Sequence, residues 1–290
     1  VPTAIVSYAT DTDSYTGSYF EHATRAATAC LDAAGVSPDR IGALINVGIY
    51  RDSNIVEPAV SALLQKRIGI GLEYSPGRVP SFSFDLMNGA CGLLDAISVA
   101  ESFFAAADVE YVLLTAGDTH PSLTAADDFP YASTGAALLL GRADTAGGFG
   151  RVHSASDTRQ LEPYGKVVLG EVGIHGRSTI TVESPATTVT FAIDAIRSCL
   201  DAEGVDLASA RLLVPAPTPD FAELLADGLG VASASMITVP RSVGDPHTAA
   251  PIFAYANAIE QKAVDRRPLL FVAAGGPVAA CVCYRPNGEA

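Results

Sequence analysis

The chain has 290 residues, of which 49% are hydrophobic and 17% charged, with a formal net charge of -14. That size and apolar content suit a large packed core, as one broad domain or two of ordinary size, and exclude a disordered chain. The negative charge is spread along the sequence, which excludes nucleic acid and anionic membrane surfaces as partners. An acidic partner protein would need a basic patch, which Arg151, Arg159, Lys166 and Arg177 would supply only if the fold gathers them.

In chain order, hydrophobic spacing predicts a helix over residues 19–35, a strand over 41–47 and a helix over 57–67. A strand over 81–86, a helix over 93–107 and strands over 110–116 and 132–140 follow. The second half offers a strand over 151–154, a helix over 189–204 and a strand over 211–215. Helices over 221–229 and 249–262 and strands over 268–274 and 279–284 complete it. Continuous apolar strands such as Tyr111-Val112-Leu113-Leu114 and Leu269-Leu270-Phe271-Val272 belong in a sheet covered on both faces. Their alternation with helices predicts mostly parallel α/β units stacked in layers.

Two matched phrases, Leu31-Asp32-Ala33-Ala34-Gly35-Val36 and Leu200-Asp201-Ala202-Glu203-Gly204-Val205, end the first helix of each half. Glycine just past a periodic helix is a stop signal, and a strand follows each phrase. The shared order favours an internal duplication. Residues 144–150 are the expected junction, because Thr145-Ala146-Gly147-Gly148 breaks both periods, giving halves of 1–148 and 149–290.

The cysteines stand at 30, 91, 199, 281 and 283, an odd number without metal-site spacing. Cys281 and Cys283 alternate on a strand and need not share a face. A disulfide scaffold is excluded at this size, and a reduced, cytoplasmic setting is expected. No basic region precedes a signal-type apolar segment, and no uninterrupted run is expected to span a bilayer. Gly69, Gly71, Gly147 and Gly148 form no phosphate-loop or Rossmann fingerprint, and no carboxylates and histidines pair at metal-site spacing, so neither nicotinamide nor metal chemistry is expected.

The segment Phe84-Asp85-Leu86-Met87-Asn88-Gly89-Ala90-Cys91-Gly92 carries the chemistry of greatest interest. A strand delivers a thiol, between glycines, to the first turn of an apolar helix. There the helix dipole and free N–H groups would stabilise a thiolate. A buried core thiol is the competing reading. His247, in Gly244-Asp245-Pro246-His247 before an apolar helix, is a candidate base that Asp245 would orient, or a cap on that helix. His120 is a weaker candidate, and His22, His153 and His175 read as structural. Tyr50, Arg51 and Asp52 follow the strand at 41–47 and would line a pocket, line a dimer seam, or form an ion-paired loop.

This organisation resembles the thiolase superfamily, in its ketoacyl-ACP synthase III branch. The matching stretches are the Cys91 segment, Tyr111-Val112-Leu113-Leu114-Thr115-Ala116-Gly117-Asp118, Ser133-Thr134-Gly135-Ala136-Ala137, Gly244-Asp245-Pro246-His247-Thr248-Ala249-Ala250 and Ala274-Gly275-Gly276. The resemblance implies a duplicated α-β-α-β-α fold with mixed sheets and Cys91 as the nucleophile position. It departs at two places. The family's histidine would follow Leu212-Leu213-Val214-Pro215, where Ala216 stands, and its asparagine is matched by Asp245 or lies beside His247. Losing both donors to a developing oxyanion makes malonyl condensation doubtful, since each contributes a few kcal/mol.

Two functions follow from the resemblance. One is an acyltransferase or specialised synthase that holds an acyl group on Cys91, with His247 as base and the backbone of Cys91, Gly275 or Gly276 as oxyanion donors. Asn88, Tyr50 and Arg51 would then contact substrate. Coenzyme A or the phosphopantetheine of acyl carrier protein would carry the acyl group, with no cofactor held permanently. The other is a non-catalytic thiolase-fold subunit that shapes a complete partner's pocket. The apolar strand at 81–86 predicts pairing along an edge, as a homodimer or, in the second function, a heterodimer.

Overall fold

The computed structural model describes residues 2–12, 17–55, 57–72, 80–106, 108–121, 129–143, 147–157, 165–168, 179–182 and 189–286. Parts of the expected junction (144–146), His175, Arg159, Arg177 and the side chain of Lys166 lie outside them.

Two five-stranded mixed sheets with the same strand arrangement form the frame. The first uses β1 (Thr3–Asp11), β2 (Ile41–Asn46), β3 (Phe82–Asp85), β4 (Tyr111–Ala116) and β5 (Gly135–Arg142) in the order β1-β5-β4-β2-β3. The second uses β6 (Gly148–Ser156), β9 (Arg211–Val214), β10 (Met236–Thr238), β11 (Leu269–Gly275) and β12 (Val278–Arg285) in the order β6-β12-β11-β9-β10. In each sheet the first two pairings are antiparallel and the last two parallel. A separate hairpin joins β7 (Gly165–Val168) to β8 (Thr179–Val182).

The helices repeat as well: α1 (Tyr19–Ala34), α2 (Val60–Ile68) and α3 (Gly92–Ala106), then α4 (Val189–Glu203), α5 (Phe221–Leu229) and α6 (Ala250–Glu260). Three apolar clusters stack them into layers. One packs α1 and α2 on the first sheet, another packs α4 and α5 on the second, and the largest holds α3 and α6 between the sheets. This is the expected duplicated α-β-α-β-α architecture. α6 is buried on nearly all sides, from Ala250 to Tyr255, as a central-layer helix must be. Tyr255 and Phe271 lie 5.5 Å apart, and Tyr255 meets Tyr8 at 5.1 Å, so rings from both sheets grip α6.

The matched phrases do the same physical work. Gly35 and Gly204 adopt φ of 62° and 61°, and Val36 and Val205 donate N–H bonds to Leu31 and Leu200 carbonyls at 3.1 and 3.0 Å. Both closures satisfy carbonyls that a helix end would leave bare.

Several boundaries shift for local reasons. α2 begins at Val60 because the Asp85 carboxylate, at the end of β3, accepts the Val60 and Ser61 N–H groups at 2.9 and 2.8 Å. β5 begins at Gly135 because the N–H of Ala132 is bonded to the Asp245 carbonyl. β1, β10 and the β7–β8 hairpin were not expected. β10 has three residues and β1 mixes small and polar side chains, so neither has a readable apolar run. Cys281 and Cys283 do share a face: both sit with Cys199 in the layer under α4, as residues two apart on a strand must. Gly89–Ala106 also reaches the length and apolarity of a membrane span, with mean hydropathy 1.3, contrary to expectation; half of it is buried within the fold.

Candidate functional site

The parallel strands β2, β3 and β4 end on one side of the first sheet, and the loops after them converge with two loops of the second half. They enclose a cavity of about 310 Å³ lined by Ile49, Tyr50, Met87, Asn88, Gly89, Ala90, Tyr131, His247, Gly275, Gly276 and Val278. Open α/β sheets place ligand sites beyond the carboxyl ends of their strands. Of the residues singled out from sequence, Tyr50, Asn88, His247, Gly275 and Gly276 therefore meet around one space.

Cys91 is not in that lining. Its side chain is 1% exposed and belongs to the central apolar cluster, with Sγ 3.9 Å from the Ala273 carbonyl. Ala90 faces the cavity instead, and a Cβ added to Gly275 would lie 3.0 Å from its methyl. Successive side chains diverge as the chain turns into α3, so a shift of one residue separates cavity from core. Burial, then the Asp95 carboxylate, push the Cys91 thiol up to about 12, the reverse of the thiolate stabilisation expected at a helix start. The Cys91 N–H is also committed, donating to the Asn88 carbonyl at 3.0 Å, which corrects the expectation that it is free for an oxyanion.

Arg51 is likewise drawn away. It is 2% exposed, reaches the Asp85 carboxylate at 3.4 Å and donates to the Met87 sulfur at 3.0 Å. Asn88 lines the cavity but holds Asp95 through its side-chain N–H at 2.6 Å. Ala216, just beyond β9, packs a methyl against the central cluster.

His247 has the most developed environment. It sits at φ 45° in the turn before α6, 8% exposed, with its ring stacked on Tyr131 at 4.1 Å and 18°. Its Nδ1 is 3.1 Å from Asp118 Oδ2. Asp118 is fully buried at the end of β4. Its Oδ1 accepts from the N–H groups of Ile49 and Tyr50 at 3.1 and 2.8 Å. Its Oδ2 accepts from the Thr248 N–H at 3.1 Å and the Thr248 hydroxyl at 2.7 Å. A carboxylate surrounded by donors is an acceptor, so Nδ1 carries the proton and donates to it. Burial alone would lower the imidazole pKa; the Asp118 charge, its hydrogen bond and the Asp245 charge outweigh burial and leave it raised.

Asp245 does not orient the ring. Its carboxylate accepts the backbone N–H of His247 at 2.9 Å, and burial pushes its pKa up to about 6. Asp118 was missed as the ring's partner because nothing in the sequence links positions 118 and 247. The available signal was a carboxylate directly after a buried strand, where an unpaired charge is costly. Among the described residues, no group of three or more His, Cys, Asp or Glu could hold a metal ion.

No protein-family model matches the chain. A curated relative, the beta-ketoacyl-[acyl-carrier-protein] synthase III of Xanthomonas campestris pv. campestris, is 27% identical over 262 residues, covering 85% of this chain and 76% of the relative. Among solved structures, 3-oxoacyl-(acyl carrier protein) synthase III from Pseudomonas aeruginosa PAO1 superposes with a TM-score of 0.77, covering 100% of both chains at 17% identity. The chain is a thiolase-fold protein, ketoacyl-ACP synthase III-like in architecture. Xanthomonas campestris OleA, solved with lauric acid and lauroyl-CoA, shares this thiolase fold with a TM-score of 0.76, covering 98% of each chain at 14% identity. The similarity covers both sheets of this thiolase-fold chain.

Proposed function

We propose that this chain is the acyl-thioester-handling companion of a complete ketoacyl synthase III-type chain, and does not itself carry an acyl group on Cys91. The observation that carries this reading is the direction of Cys91: its sulfur faces the Ala273 carbonyl in the core, while Ala90 takes the cavity wall. A thiol held at about 12 provides almost no thiolate at neutral pH, so it is a poor nucleophile where it lies. Ala216 removes the imidazole that would assist condensation. Loading Cys91 would require the thiol to leave the core, turn past Ala90 and gain a base.

A self-dimer of such chains would contain no loaded thiol, which favours a heterodimer. The surface for it is the β3 edge of the first sheet, beyond which no further strand pairs among the described residues. On β3, Phe82 is 56% exposed and its ring lies 5.4 Å from Phe84 and 6.4 Å from Phe103 of α3. Met87, 51% exposed, extends the apolar strip toward the cavity. An exposed apolar edge strand is an open pairing template. The similarity to proteins named as acyl-carrier-protein synthases supports acyl-CoA or acyl carrier protein thioesters as the donors the assembly uses.

Co-expression with each complete thiolase-fold synthase of the same genome, followed by sedimentation at micromolar concentration, tests the reading. A stable heterodimer of two-chain mass is expected, and Phe82→Glu should abolish it by placing a charge in the apolar seam. A chain that stays monomeric beside every such synthase would contradict the proposal.

A further inference from the structure

We propose that His247, positioned by Asp118, gives this cavity a hydrolytic activity toward short acyl thioesters that is independent of Cys91. Three observations converge on it. The imidazole lines a cavity near the lower end of the usual size for small-molecule sites. Its Nδ1 donates to a fully buried carboxylate that four other donors lock in place. No hydrogen bond occupies Nε2 among the described residues, and the ring plane is held by stacking on Tyr131. An oriented imidazole with one bound and one open nitrogen is the arrangement of a general base.

In the reaction, Nε2 takes a proton from water as the water oxygen bonds to the thioester carbonyl carbon. The tetrahedral adduct collapses with cleavage of the carbon–sulfur bond, and the imidazolium returns its proton to the departing thiolate. One water is consumed, and a carboxylic acid and a free thiol are produced, without oxidant, metal or cysteinyl intermediate. Asp118 is a positioning residue: it holds the tautomer and stabilises the imidazolium. The inference stands apart from the pairing proposed above, since it requires no second chain.

The test is thiol release from acetyl-CoA and butyryl-CoA by the purified chain. Release is expected, unchanged in Cys91→Ala and reduced about 10²–10⁴-fold in His247→Gln, the usual contribution of a positioned base. Should His247→Gln fail to fold, the pH profile of the unaltered chain decides. The titratable groups facing His247 are Asp118 from the end of β4, Asp245 from its own loop, Tyr50 from the loop after β2 and Tyr131 from the segment before β5. The base works unprotonated and its pKa is raised, so the rate should climb with pH through an inflection above the ordinary value of 6.5. No thiol release, a rate flat between about pH 5 and 8, release lost in Cys91→Ala, or equal rates with and without the imidazole would each overturn the proposal.

Discussion

Asp118→Ala should destabilise the fold by about 3–5 kcal/mol, read as a lowered urea midpoint with an unchanged slope. The carboxylate is fully buried at the end of β4 and gathers donors from two separated stretches: Ile49 and Tyr50 after β2, and His247 and Thr248 before α6. Alanine would leave those donors facing a small void. Each orphaned donor costs about 1–3 kcal/mol before the surroundings relax or water enters. Asp118→Asn keeps one carbonyl oxygen and should cost less, yet its amide N–H groups would confront donors. A loss below about 1 kcal/mol for Asp118→Ala would contradict the view that this carboxylate ties the two halves together around the cavity.

Gly135→Ala should be comparably severe, about 3 kcal/mol or more, although it adds a single methyl. The new Cβ would lie 2.7 Å from the Ala23 nitrogen and closer still to the His22 carbonyl, so it would strike α1 backbone that no side-chain rotation can move. α1 would have to lift from β5, loosening Tyr19, Ala23, Ala26, Ala27, Cys30 and Leu31 from the outer core. Gly204→Ala is the control for backbone conformation alone. At φ 61°, with nothing within 4 Å of an added Cβ, it should cost only about 1–2 kcal/mol. Equal thermal shifts for the two variants would contradict the close-packing account of Gly135.

The layered fold was legible because its signals are local. The continuous apolar runs in β4 and β11 need cover on both faces, and the phrases ending at Gly35 and Gly204 mark equivalent helix ends. β10 and β1 escaped notice because three residues, or a mixture of small and polar ones, show no period. The site was legible as a set of loops and much less so as chemistry. Tyr50, Asn88, His247, Gly275 and Gly276 converge, because strand ends in this architecture must converge. What decides reactivity is finer than sequence pattern. A one-residue offset at the start of α3 sends Cys91 into the core and Ala90 to the cavity. The partner of His247 is set by a contact between residues 129 positions apart.

The most direct measurement is intact-mass spectrometry of the purified chain after mixing with a panel of acyl-CoA thioesters from acetyl to dodecanoyl. With Cys91 facing Ala273 and its thiol protonated, the mass should remain that of the unmodified chain across the panel. A mass increase equal to the acyl group, absent in Cys91→Ala, would show that Cys91 reaches the cavity and contradict the account.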